Sequence, residues 1–288
     1  MILVTGAGGK TGKAVIKALI ARGAAVRALI RNPSHDASLR AIGVRDVVVG
    51  GMGDPHALSR AVQGADAIYH ICPNVSPHEI AFGKNVIEAA TRAGVPRFVY
   101  HSVLHPQIEA MPHHWNKMRV EEMLFSAKLG VTILQPTAYM QNTLAEWDRM
   151  VGEGILRAPY PIETRLSLVD LDDVAHAAAL VLTSEGHIGA TYELVGTAPM
   201  SQIEIAEIFA GVMQRDIRAE AEPIEAWRDR ARRGGMDDHQ CETLIKMFEA
   251  YARDGLKGNP NVLGWLLGRR PTSVAIFAAR FALDRRTK

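Results

Sequence analysis

The chain alternates short unbroken apolar runs with longer stretches in which apolar residues recur every three or four positions. The runs read as strands buried on both faces, and the stretches as helices packed on one face. Ile2-Leu3-Val4 stops abruptly at Thr5-Gly6, and Val15, Ile16, Leu19 and Ile20 follow at helical spacing up to Gly23. Further strands are predicted over 24–31, 45–51, 66–74, 97–105 and 131–142, and helices over 56–65, 79–94 and 119–130. Strands joined by crossover helices predict an α/β fold, a Rossmann-type doubly wound parallel sheet. After Leu144 the alternation loosens. Residues 153–163 read as loop, 170–184 as a strong helix, 190–196 as a strand, and 201–214 as a helix capped by Ser201 with Glu204 three residues on. The expected division is a nucleotide-binding domain over 1–196, with a loop insertion near 143–165, and a smaller, partly helical substrate or lid domain over 197–288.

Composition narrows the partners. With 288 residues, 48% hydrophobic and 22% charged, the chain can bury a sizeable core. A net charge of +2 gives no reason to expect nucleic acid or an anionic membrane. Cys72 and Cys241 imply no disulfide framework and suit a reducing cytosol. The chain starts inside its first strand and has no apolar run of about 18 residues, so neither a signal peptide nor a membrane span is expected and the location is expected to be cytoplasmic. His101, His105, His113 and His114 match no compact ligand spacing, and no metal is expected. The basic run Arg228–Arg233, followed by Gly234-Gly235-Met236, reads as a solvated helix face and a mobile loop with the freedom to close over a ligand.

The stretch Thr5-Gly6-Ala7-Gly8-Gly9-Lys10-Thr11-Gly12 lies between the first strand and the first helix. There Gly6 permits a tight turn, Gly9 lets the backbone approach a pyrophosphate, and Gly12 allows close helix–strand packing. Backbone N–H groups at the helix start, including those of Lys10 and Thr11, then face the anion, and Thr5 and Gly8 are expected to line the cofactor with them. An acid about 20 residues further on would bind the ribose of NAD, whereas this chain has Arg31-Asn32-Pro33 there. A guanidinium grips phosphate with parallel hydrogen bonds, so NADPH/NADP is the expected cofactor. Pro73 and Asn74 follow the fourth predicted strand and are expected beside the cofactor, because ligands in open parallel sheets bind outside the strands' carboxyl ends.

The order of "TGAGGKTG", "IRNP", "DAIYHICPN", "RFVYHSVLH", "HWNKMRVEEML", "TILQPTAYMQN", "VDLDDVA" and "LLGRRPTS" resembles the NmrA-like family of atypical short-chain dehydrogenases/reductases. The resemblance covers nearly the whole chain. It implies either an NADPH-dependent reductase of quinones and other conjugated or aromatic compounds, or an NADP(H)-sensing regulator without turnover that binds a protein partner. Against the catalytic pattern of ordinary short-chain reductases, Ser102 matches the serine and Lys117 the lysine, while His113 stands where the tyrosine would be. The resemblance therefore implies Ser102 and His113 as hydrogen-bond or proton donors, His113 as imidazolium. It implies Lys117 at the nicotinamide ribose or the developing charge. Thr137, Tyr139 and Asn142 are expected to border nicotinamide or substrate. Relatives often carry Gly-Asp after the third strand to hold adenine; Gly50-Gly51-Met52 here leaves adenine resting on Met52. The expected partner is a small aromatic or quinone-like molecule, and the expected assembly beyond one chain is a homodimer.

Overall fold

A computed structural model describes residues 1–286, and the chain forms two compact units. The first unit comprises residues 1–109, 113–136 and 174–192. Its strands are β1 (Ile2–Val4), β2 (Val26–Ile30), β3 (Asp46–Val49), β4 (Ala67–His70), β5 (Arg97–His101) and β6 (Gly130–Pro136). They pair in parallel in the order β3-β2-β1-β4-β5-β6. The chain thus runs outward from β1 to one edge, returns, and runs outward from β4 to the other. The carboxyl ends of β1 and β4 therefore flank the point where strand order reverses, which is where open α/β sheets bind ligands.

Helices α1 (Lys10–Ala21), α2 (Asp36–Ala41), α3 (Pro55–Val62), α4 (Glu79–Arg92) and α5 (Pro112–Phe125) make the crossovers. A core of Leu3, Leu29, Leu58, Ile68, Val86, Phe98, Val120 and Ile133 fills the space between sheet and helices. Burial on both faces accounts for the unbroken apolar runs of β1 and β4. The doubly wound α/β fold expected from the pattern is the one observed.

The second unit holds residues 110–112, 137–173 and the chain from Glu193 onward. It contains β7 (Ala138–Tyr139), α6 (Trp147–Glu153), β8 (Ile155–Ala158) and β9 (Leu168–Val169). Helix α7 (Leu171–Thr183) and strand β10 (Thr191–Leu194) straddle the division, and β10 extends the large sheet next to β6. Then follow α8 (Gln202–Met213), β11 (Arg218–Ala221), α9 (Ile224–Arg233), α10 (Asp238–Asp254), α11 (Asn261–Leu267) and α12 (Val274–Arg286).

The cut expected at 196/197 lies close to where the chain re-enters this unit at Glu193, but 137–173 also cluster here and not with the first domain. The physical reason is pairing: β8 joins β11 in parallel, with Ile155 opposite Arg218. The same pairing corrects the loop expected near 143–165, which is a 3₁₀ turn at Met140–Glu146 followed by α6 and β8. Ser201 caps α8 as its spacing predicts, with both hydrogen bonds of the capping box present.

Candidate active site

The loop after β1 is built tightly against the sheet. Gly6 has φ +57, and a Cβ there would lie 2.7 Å from the Ile71 carbonyl oxygen. A Cβ on Gly12 would meet the Gly6 oxygen and stand 2.8 Å from Ala7 Cα. Gly9 differs: a Cβ would meet only the Gly6 oxygen, at 3.4 Å, so the protein itself makes no steric demand for glycine there. Gly9 also offers no side chain to cap α1, and the first turn of that helix carries no acid. The positive end of α1 is thus left without a negative partner from its own first turn, beside a backbone stripped of side chains. That cradle fits a dinucleotide pyrophosphate.

Lys10 is exposed and Thr11 half-buried in the first turn of α1, while Thr5 is turned inward. The Thr5 hydroxyl donates to the Ile71 carbonyl at 3.1 Å, accepts the Ile71 N–H at 3.0 Å, and lies 2.9 Å from His70 Nδ1. This corrects the expectation that Thr5 faces the cofactor: its hydroxyl stitches β1 to β4. Arg31 lies exposed just past β2. The His35 ring, in the turn Pro33–His35, lies over Gly8, where a Cβ would be 2.8 Å from His35 Cγ.

At the carboxyl ends of β4 and β5 a polar cluster is buried. Glu79, in the first turn of α4, accepts from the Tyr100 hydroxyl at 2.8 Å and from Lys117 Nζ at 3.0 Å. Lys117 also donates to the His101 carbonyl at 3.4 Å and lies 5.5 Å from the centroid of the Tyr100 ring. The Lys117 side chain is 12% exposed and that of Glu79 4%. Burial pushes the Glu79 carboxyl up, but Lys117 and the hydrogen bonds outweigh it and hold the group below the usual carboxylate range. Burial, then the nearby Glu79 charge, raises the Tyr100 phenol and the Cys72 thiol, so both stay protonated at neutral pH. His70 stacks on Tyr100 at 5.6 Å and 20°, and its Nε2 is buried without a hydrogen-bond partner.

Of the three expected catalytic residues, Lys117 is in this cluster. His113 is four residues away on α5, as the spacing predicts, but its charge state is not the one expected. Burial first, then Lys117, lowers its pKa to about 4, so the ring is neutral at neutral pH. A neutral imidazole donates a hydrogen bond but is no acid, which corrects the imidazolium role. His113 Nδ1 is buried without a partner. Burial likewise lowers His70 to about 4 and His101 and His114 to about 3. Ser102 is corrected too: its hydroxyl donates to Glu121, which also accepts from Gln135 Nε2 at 2.9 and 3.1 Å. That serine is committed to a buried bridge from the end of β5 to α5, on a carboxylate shared with Gln135 of β6.

Met52 is also placed differently from expectation. It is 8% exposed and packs with Leu29, Leu58 and Val86, so most of its surface is withdrawn from any adenine. Pro73 and Asn74 are exposed in the loop after β4, next to Val75 at φ 53. A β-branched residue in the left-handed region is strained, and such strain collects where a loop serves a site. Thr137, Tyr139 and Asn142 fall in the second unit, where Thr137 donates to the Ser167 carbonyl at 2.9 Å and Tyr139 is half-buried on β7.

Sequence reasoning missed Glu79, Tyr100, His70, Glu121 and His35. An acid in the first turn of a helix satisfies the helix dipole and reads as ordinary. The motifs "VDLDDVA" and "LLGRRPTS" turn out to hold the second unit together. Asp173 pairs with Arg269 at 2.6 Å and Asp170 with Arg280 at 2.8 Å, both aspartates buried. The basic run lies on a helix, as expected: α9 reaches Arg233, Arg230 bonds the buried Glu222, and Arg228 and Arg232 pair with Glu225 and Asp238. Among the described residues no helix is long and apolar enough to cross a membrane, and no group of His, Cys, Asp and Glu side chains is placed to hold a metal.

A doubly wound sheet with a glycine-lined anion cradle at its switch point defines a dinucleotide-binding protein. The chain belongs to the NmrA-like family, whose model matches residues 1–272. It is 27% identical over 287 residues to the NAD(P)H azoreductase of Xenophilus azovorans, with 98% of each chain covered. To quinone oxidoreductase 2 of Escherichia coli it is 26% identical, with 96% of each chain covered. The crystal structure of an NADPH-dependent quinone oxidoreductase complexed with NADPH from Escherichia coli superposes with a TM-score of 0.86 at 25% identity, covering 98% of this chain and 100% of that one.

Proposed function

We propose that the chain is an NADPH-dependent reductase that transfers hydride to a quinone or another small conjugated or aromatic acceptor. The buried Lys117–Glu79 pair carries this reading, because it sets an ammonium beside the switch point where the glycine loop would hold a dinucleotide. Relatives named for NAD(P)H-dependent azo reduction and for quinone oxidoreduction, matched over nearly their full length, support it. NADPH, when bound, supplies a hydride, and the acceptor takes up that hydride and one proton to leave as the reduced compound.

Gly6, Gly8, Gly9, Lys10, Thr11 and Gly12 would hold the pyrophosphate through backbone groups and the start of α1, with Arg31 on the 2′-phosphate. Pro73 and Asn74 would border the nicotinamide half. Lys117 stabilises the negative charge that builds on the acceptor oxygen, and neutral His113 adds a hydrogen bond. A quinone accepts electrons readily and needs little acid assistance, so a site without the tyrosine suffices. The location would be cytoplasmic.

Arg31 makes the cofactor half testable. Calorimetry should show NADPH binding at least about tenfold tighter than NADH, or about 1.4 kcal/mol, and Arg31→Ala should erase the difference. Equal affinities in the unmodified protein would contradict the assignment.

A further inference from the structure

We propose that Glu79 sets the electrical character of the acceptor site: by cancelling the charge of Lys117 it restricts the acceptor to uncharged conjugated carbonyl compounds. The inference rests on the reductase reading and adds a substrate class and a specificity-determining residue to it.

Lys117 and Glu79 face each other at 3.0 Å, with the ammonium more exposed than the carboxylate beneath it. A lone ammonium at such a site would draw in sulfonates and carboxylates. With a carboxylate at contact distance, the far field of the pair is only that of a dipole. The other groups packed around it add no positive charge. His113 and His114 on α5, His101 on β5 and His70 on β4 are all held neutral by burial. Glu121, also on α5, has both carboxylate oxygens occupied by donors, Ser102 on one and Gln135 on both, and contributes no cation. Tyr100 and Cys72 stay protonated. An anion entering this cluster would lose its hydration and meet no net positive charge in return. An uncharged quinone loses little hydration, and the nearby ammonium still stabilises the oxygen on which charge grows as hydride arrives from NADPH and a proton follows from water.

The test compares 1,4-naphthoquinone with 1,4-naphthoquinone-2-sulfonate in the full chain loaded with NADPH. Because the two probes differ in redox potential, the quantity read is the change in their kcat/KM ratio between variants. Glu79→Gln should raise the sulfonate-to-neutral ratio about tenfold or more, equivalent to about 1.4 kcal/mol. Glu79→Asp should keep the ratio of the unmodified protein. Calorimetry on the NADP⁺-loaded protein gives a readout independent of turnover: Glu79→Gln should bind the sulfonate about tenfold more tightly. If Glu79→Gln does not fold, Lys117→Met reads the same charge with opposite sign, and sulfonate binding should weaken relative to the neutral quinone. An unchanged ratio and unchanged sulfonate affinity in a folded Glu79→Gln protein would overturn the inference. Failure of the reductase reading looks different, because neither quinone would then be reduced by any variant while the binding comparison still reports on Glu79.

Discussion

His113 occupies the place of a phenol in ordinary short-chain reductases, and burial decides what it can offer. With its pKa lowered to about 4, it carries no titrating proton across the neutral range. The pH profile of kcat should therefore show no limb near 6.5 that belongs to His113, and His113→Gln should leave the shape of the profile unchanged from about pH 5.5 to 8. A limb near that value that disappears in His113→Gln would show that imidazolium is the donor after all. Lys117 was legible because it stands at a recognisable distance from Ser102 and His113 in the chain. Its charge partner was not, since Glu79 lies 38 residues earlier and only the packing of α4 against α5 brings the two together. The misjudged role of Ser102 has a similar origin: nothing local shows that Glu121 and Gln135 converge on its hydroxyl.

The strand–loop–helix unit at the start of the chain shows why some elements can be read directly. Strand, turn and helix are consecutive, so the contacts that constrain Gly6 and Gly12 lie within the loop or at the adjacent end of β4, while the His35 ring over Gly8 comes from the turn after β2. Two of its glycines should respond in opposite ways. Gly12→Ala forces a Cβ into the Gly6 oxygen and should lower the thermal midpoint substantially, while Gly9→Ala has room and should fold normally. Gly9→Ala should nevertheless weaken NADPH binding, because its Cβ stands where the pyrophosphate approaches the backbone. Circular dichroism and nucleotide titration separate the two effects, and an unfolded Gly9→Ala or full nucleotide affinity in it would contradict the picture of the cradle. By contrast, β8 read as loop because its partner β11 lies far along the chain, and two short strands without a near neighbour leave no local signature.

Across the molecule, several imidazoles buried uncharged make stability depend on pH. His70, His101, His113 and His114 have folded pKa values of about 3 to 4, against about 6.5 in the unfolded chain. The unfolded state therefore binds more protons below about pH 6.5, and stability falls as pH drops through that window, by at most about 1.4 kcal/mol per pH unit for each imidazole. Glu79, held below the carboxylate range, adds to the loss at lower pH, while Glu121, held above it by burial, acts in the opposite sense. Thermal melts should show a markedly lower midpoint at about pH 5 than at about pH 7.5, and a flat profile would mean that the histidines are not buried neutral in solution. NADPH-dependent quinone reduction by this fold is checked by following NADPH absorbance after adding 1,4-naphthoquinone to the purified chain. Expected are many turnovers per chain, slower reaction with NADH, and a drop in kcat in Lys117→Met larger than its drop in NADPH affinity. NADPH consumption no faster than the uncatalysed background, in a protein that binds NADPH tightly, would contradict this expectation and identify a nucleotide-binding protein without turnover.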